Sequence, residues 1–327
     1  MAKLLDGNDL SSIRAAADVL RGGGLVAFPT ETVYGLGANA LNERAVAQIF
    51  AVKNRPHFDP LIVHLADQDA VSQYAIDIDQ RARLLMERFW PGPLTLVLRK
   101  RPLIPDLVTA GFDTVALRVP SHPVALALLR EVKLPIAAPS ANPFGYVSPT
   151  TAAHVQETLG SAIPLILDGG SCAVGVESTV CALTEKQAVI LRPGGVAVEE
   201  IEAVIGAVRF GSTTHPDPRS PGTLASHYAP RVPLSLIALG APLPRPQPRE
   251  RIGLLLLKPR PAEGYATVEF LSRGGNLVEA AANLFATLRR LDSMGLERVI
   301  AESVPEQGLG RAIMDRLRRA ATSAGNH

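Results

Sequence analysis

The sequence predicts an α/β protein of two domains, and three observations carry that prediction. Its 327 residues, 47% hydrophobic and 20% charged, suffice for two ordinary cores. Short apolar runs alternate with helix-length segments along nearly the whole chain. A proline-dense stretch from Pro216 to Pro248, holding nine of the 27 prolines, interrupts that alternation. The expected division is residues 1–210, a linker over 211–232 and a second domain over 233–327.

Before the prolines, helices are expected at 9–21, 43–52, 79–89, 122–130, 149–158 and 198–205, each after a plausible break. The helix at 149–158 is the best marked, with Ser148 at its N-cap and Pro149 at its first position. Strands are expected at 24–28, 61–65, 94–98, 114–119, 135–138, 163–167, 176–183 and 188–191. The run GLVAFP reads as a buried strand that empties into a polar, glycine-punctuated loop, PTETVYGLGANA. Several strands follow one another without a helix, so the sheet should be mixed. After the prolines, strands at 233–239, 252–257, 266–271 and 298–302 alternate with helices near 276–293 and 309–321. That pattern predicts a small three-layer domain of Rossmann-like type, without the GxGxxG fingerprint.

Composition excludes several classes. No stretch reaches the roughly 18 apolar residues of a membrane span, and the start reads as no signal peptide, so a cytoplasmic address is expected. Cys172 and Cys181 form no CxxC pair, which disfavours a thiolate zinc site and a disulfide framework. Residues 1–210 carry 18 Lys and Arg against 21 Asp and Glu, and residues 211–327 carry 15 against 10. Neither balance is that of a dedicated nucleic-acid binder, so any anionic ligand of the first half must be held by a few placed cations.

Lys53 and Arg55 are placed to point from one loop into one cavity, as a polyphosphate site requires, or else to end a solvated helix. PSAN, Pro139 to Asn142, leads toward the helix capped at Ser148, which reads either as a nucleotide seat or as an Asn/Pro turn. In TVALRVP, period-2 alternation puts Thr114, Ala116 and Arg118 on one face. An Arg there either reaches water at an edge or pairs with a carboxylate. His64 in LIVHL reads as a structural or a ligand-binding histidine. Asp168 and Glu177 are open either to magnesium or to turn capping.

Taken together, PTETVYGLGANA, KNRP, APSANPFGYVSPT, DGG, VGVESTV and RPGG resemble the YrdC-type threonylcarbamoyl-adenylate synthases over nearly the whole chain. The linker SPGTLASHYAP, 220–230, resembles the hallmark of their long, two-domain form. The resemblance implies a YrdC-like domain, a twisted mixed sheet flanked by helices, followed by the smaller Rossmann-like one. It also implies the reaction: L-threonine, bicarbonate and ATP give threonylcarbamoyl-adenylate and pyrophosphate, for tRNA modification by a downstream threonylcarbamoyl transferase.

By the family signature KxR…SxN, Lys53, Arg55, Ser140 and Asn142 are the implied catalytic residues. Implied ATP contacts are Arg55, Asp59, Thr114, Ser140, Ser148, Arg192 and Tyr228, the last beside His227 in a lid expected over 211–231. Implied threonine contacts are Thr32, His64, Arg118, Ala138 and Ser178, and Mg²⁺ is expected with the ATP. Asp59 and Ser226 depart from the family pattern, which often has Asn and a basic residue there. Two rivals share the fold: an RNA-binding module, disfavoured by the charge of residues 1–210, and a hydrogenase-maturation carbamoyltransferase, whose Cys motifs are missing.

Overall fold

The computed structural model describes residues 1–211 and 228–322. The first part runs β1 (Lys3–Asp6), α1 (Leu10–Arg21), β2 (Val26–Phe28), β3 (Gly35–Asn39), α2 (Glu43–Lys53), β4 (Ile62–His64), α3 (Val71–Tyr74), β5 (Ala75–Ile76), α4 (Gln80–Phe89) and β6 (Leu94–Lys100). It continues through α5 (Asp106–Thr109), β7 (Thr114–Arg118), α6 (Pro123–Val132), β8 (Ile136–Ala137), α7 (Ala152–Leu159), β9 (Leu165–Asp168), β10 (Thr179–Ala182), β11 (Val189–Arg192), α8 (Val198–Ile205) and β12 (Arg209–Phe210). The second part holds β13 (Leu234–Ile237), β14 (Ile252–Leu256), β15 (Thr267–Phe270), α9 (Leu277–Asp292), β16 (Arg298–Glu302) and α10 (Gly310–Thr322).

The first twelve strands form one mixed sheet, ordered β1-β9-β2-β3-β8-β4-β7-β6-β10-β11-β12, with β5 beside β6. Helices α1 and α6 press Ile13, Leu20, Val124 and Leu128 onto Val26, Phe28 and Leu167 on one face. Residues of α2, α4 and α7, among them Ile49, Leu85 and Val155, fill a larger core with Ala27, Leu96 and Leu117. Local chemistry sets the helix ends. Asp9 caps α1 by accepting from the Ser11 N–H, and Asn42 caps α2. Asn54 ends α2 in the left-handed conformation at φ 52°, which reverses the chain directly after Lys53. Register then places the site: β4 and β7 are parallel with His64 opposite Arg118 and Ile62 opposite Ala116.

Several sequence expectations are corrected here. The glycine-punctuated loop is half strand, because Gly35–Gly37 pair with Val26–Phe28 in a hairpin. The helix expected at 149–158 begins at Ala152, and Thr151 is its N-cap, accepting from the His154 N–H. Ser148 lies three residues before that cap, with its buried hydroxyl turned to Glu177, donating to Oε1 at 2.6 Å. Strand β10 starts at Thr179, so Glu177 and Ser178 precede it. The short strands β1 and β12 were not anticipated.

The second sheet is all parallel, ordered β13-β16-β14-β15. It is not three-layered. Both helices pack on the face carrying Leu234, Leu255, Val299 and Ala301. The opposite face, with Ile252, Leu254, Leu256 and Ile300, is covered by Leu243, Ala262 and Tyr265 of the connections 238–251 and 257–266. Prolines at 242, 244, 246 and 248, and at 259 and 261, remove the donors a covering helix would need. The core of α9 and α10 also takes in Val33, Val147 and Val176, so the two parts share apolar packing.

Candidate active site

One cleft gathers most of the singled-out residues. Its empty space, mouth included, is about 500 Å³. The β2–β3 hairpin contributes Thr30, Thr32, Val33 and Gly35, and the segment after β8 contributes Ala138, Pro139 and Ser140. Strands β4, β7 and β11 add His64, Arg118 and Arg192, and Arg55, Glu177, Ser178 and Tyr228 complete the wall. Thr30 folds the hairpin tip: its hydroxyl accepts from the Thr32 and Val33 N–H groups at 3.2 Å.

Electrostatic proximity divides the wall into two neighbourhoods. In the first, Arg118 is 3% exposed and tied on three sides. Its Nη2 donates to Glu31 Oε1 at 2.7 Å, Nη1 to Thr32 Oγ1 at 3.0 Å and Nε to the Gly92 carbonyl at 3.2 Å. A guanidinium has five N–H donors, so one remains on each terminal nitrogen, a fork suited to one carboxylate. The carboxylate Arg118 meets within the chain is Glu31, a residue sequence reasoning passed over; it was legible only as a polar residue in a ligand-like loop. Glu31 Oε2 accepts from the Ser121 N–H at 3.1 Å, which fixes the pair. Burial, and then Arg118, lowers His64 to about 3, so its imidazole is neutral. Among the described residues its buried Nδ1 has no hydrogen-bond partner.

The second neighbourhood couples Arg55, Arg192, Tyr228, Glu177 and Arg316. Arg55 pairs with Asp59 at 2.9 Å and donates to the Pro60 carbonyl at 3.0 Å. Burial holds Arg55 and Arg192 below the ordinary arginine range. Arg192 donates to the Ser178 carbonyl at 3.0 Å, and Ser178 Oγ lies 2.8 Å from Thr95 Oγ1. Tyr228 is 1% exposed and stacks on Phe285 of α9, centroids 5.7 Å apart.

Five of the expected site residues fall elsewhere. Lys53 is neither solvated nor on the cleft wall: it is 1% exposed, and Nζ donates to the Ser140 carbonyl at 2.5 Å and to the Asn142 carbonyl. Asn142 Nδ2 donates to the carbonyls of Pro143 at 2.8 Å and Tyr146 at 2.9 Å, so both residues shape the loop that presents Ser140. Thr114 lies at the opposite end of β7 from Arg118, roughly 13 Å along the strand. Asp59 and Ser148 sit behind the wall, paired with Arg55 and Glu177. His227, and residues 212–227 of the lid expected over 211–231, lie outside the described residues.

A resident magnesium site does not fit the carboxylates present. Glu177 spends Oε1 on Ser148 and Oε2 on Arg316, and Asp168 Oδ1 accepts from the Gly170 N–H at 2.9 Å and the Tyr34 hydroxyl. Among the described residues no group of three or more His, Cys, Asp and Glu could hold a metal. Nor is any described helix long and apolar enough to cross a membrane. Both cysteines are buried, and burial pushes the Cys181 thiol up to about 12.

Comparison with known proteins gives a consistent result. The Sua5, YciO and YrdC family model, described as "Telomere recombination", matches residues 18–194. A second, described as "Threonylcarbamoyl-AMP synthase, C-terminal domain", matches residues 196–322. The chain is 46% identical to the threonylcarbamoyl-AMP synthase of Pyrococcus abyssi, covering 94% of this chain and 93% of the relative. It is 46% identical to that of Bacillus subtilis, with coverages of 97% and 94%. A crystal structure of P. abyssi Sua5 complexed with L-threonine superposes with TM-score 0.89 at 41% identity, over 99% of this chain and 98% of the other.

Proposed function

The chain belongs to the YrdC-type threonylcarbamoyl-adenylate synthase family in its two-domain form, and from that premise we propose how its cleft works. The protein makes L-threonylcarbamoyladenylate from L-threonine, bicarbonate and ATP, releasing pyrophosphate, for threonylcarbamoyladenosine modification of tRNA. We read the chemistry as nucleotidyl transfer. Bicarbonate takes up a proton and loses water to give carbon dioxide, which the threonine amine attacks, losing a proton to give a carbamate. A carbamate oxygen then attacks the α-phosphate of ATP, the bond to the β-phosphate oxygen breaks, and pyrophosphate leaves.

Two neighbourhoods facing one cleft carry this reading. Arg118, oriented by Glu31 and Thr32, reads the threonine carboxylate with its remaining fork. Neutral His64 offers Nδ1 to a polar group of the amino acid without adding charge, and Thr32, Ala138 and Ser178 close round it. Arg55, Arg192 and Ser140 face the phosphates, and Tyr228 the nucleoside. Lys53 and Asn142 hold the Ser140 loop, and so serve the phosphates through it. Catalysis then rests on positioning and on cations placed where charge develops, in a site largely shielded from water. Magnesium enters with ATP, on its phosphates, and the adenylate passes to a downstream transferase. Residues 1–210 would be the catalytic domain, 211–232 the linker and 233–327 the second domain.

Pyrophosphate release from ATP tests this directly. It should require L-threonine and bicarbonate together. Turnover indifferent to threonine would remove the proposal.

A further inference from the structure

Helix α10 sends one arginine across to the cleft. Arg316 is fully buried, yet it sits on the apolar stripe of its helix, in line with Ala312, Ile313, Leu317 and Ala320. Its Nε donates to Glu177 Oε2 at 3.0 Å, and its Nη1 donates to the Pro193 carbonyl at 2.6 Å. Its Cζ lies 5.2 Å from the centroid of the Tyr228 ring. Asp315 supplies a second carboxylate, 2.9 Å from Nη1.

Three of the groups that Arg316 meets lie at the nucleotide side of the wall. Glu177 and Tyr228 line the cleft, and Pro193 follows Arg192. The other carboxylate oxygen of Glu177 takes the Ser148 hydroxyl, so one ion pair ties α10 to the cleft wall and to the segment behind it. Stability alone is a weak reason for such an arginine. Burying an ion pair costs desolvation that its attraction barely repays, and an apolar side chain of similar volume would serve packing as well. What the guanidinium adds is direction: planar donors at fixed angles and a flat cation against a ring.

We propose that Arg316, contributed by the second domain, is a positioning residue for the nucleotide end of the cleft, acting through Glu177, Pro193 and Tyr228. The inference rests on the reading of Arg192 and Tyr228 as the nucleotide side. It gives the second domain a part in ATP recognition, whereas Arg118 and His64, which read threonine, touch none of these groups.

The test is a split between two substrates in the full-length protein. Arg316→Met keeps length and apolar volume, and Arg316→Lys keeps charge without the fork. KM for ATP should rise ten-fold or more in Arg316→Met, with Arg316→Lys between it and the parent. Threonine affinity, measured by calorimetry without ATP, should stay within two-fold in both. ATP and threonine weakening in parallel, or neither moving beyond two-fold, would overturn the inference. If Arg316→Met fails to fold, the same split in Arg316→Lys decides. Arg192→Ala separates the two levels. If it raises KM for ATP while the Arg316 variants do not, only this inference fails; if it leaves KM for ATP unchanged, the nucleotide reading beneath it fails as well.

Discussion

Arg118 keeps one N–H on each terminal nitrogen after three internal hydrogen bonds, so a lysine there would keep charge and lose the fork. Arg118→Lys should weaken threonine about ten-fold or more and leave ATP nearly unaffected, measured by calorimetry with each ligand separately. Lys53 calls for a different expectation. Its Nζ satisfies two buried carbonyls, so Lys53→Met should lower the melting temperature as well as activity, by roughly 2–5 kcal/mol of stability in urea titration. Ser140→Ala, by contrast, should cost activity with the melting temperature unchanged. His64 sets a pH dependence whose sign is fixed. Its folded pKa of about 3 lies below the ordinary 6.5, so below pH 6.5 the unfolded chain binds a proton that the fold refuses. The stability present above 6.5 is therefore lost as pH falls toward 3, at up to about 1.4 kcal/mol per pH unit. Unfolding titrations between pH 7 and 4.5 should show a shallower loss for His64→Asn than for the parent.

Among the elements, those with side-chain caps or uninterrupted apolar runs begin close to where the sequence placed them: α1 follows Asp9, α2 follows Asn42, and β2 lies within GLVAFP. The start of α7 misled because Ser148 and Thr151 are both capping residue types three positions apart, and Glu177, distant in sequence, claims Ser148. Thr151→Ala should therefore cost about 1 kcal/mol of stability and leave KM for ATP unchanged. The approach of α9 to the cleft depends on Gly175. At φ 74°, a Cβ there would stand 2.4 Å from Ala282 Cα, so Gly175→Ala must move loop or helix. A loss of at least 2 kcal/mol is expected by denaturant titration, about half from the backbone and the rest from the clash.

At the scale of the molecule, the two sheets are joined by packing that neither part completes alone. Val33, Val147 and Val176 share a core with Leu284, Phe285 and Ile313, and Arg289 of α9 donates to the Val147 carbonyl at 2.6 Å. Calorimetry of the whole chain should thus show one cooperative transition, with calorimetric and van't Hoff enthalpies equal; two resolved transitions would contradict the shared core. The sequence by itself determined the alternation of strands and helices, the break at the prolines, the family signature and the face on which Ala116 and Arg118 lie, because periodicity, turn chemistry and residue type are local properties. It could not say that Lys53 turns from the cleft toward two carbonyls, that Arg118 is already paired with Glu31, or that the proline-rich connections stand in for a helical layer. Nor could it say that Arg316 reaches the wall from another domain; its one local sign was a charge on an apolar stripe. These outcomes depend on which distant groups come within hydrogen-bonding distance once water is excluded, and only the tertiary structure fixes those neighbours.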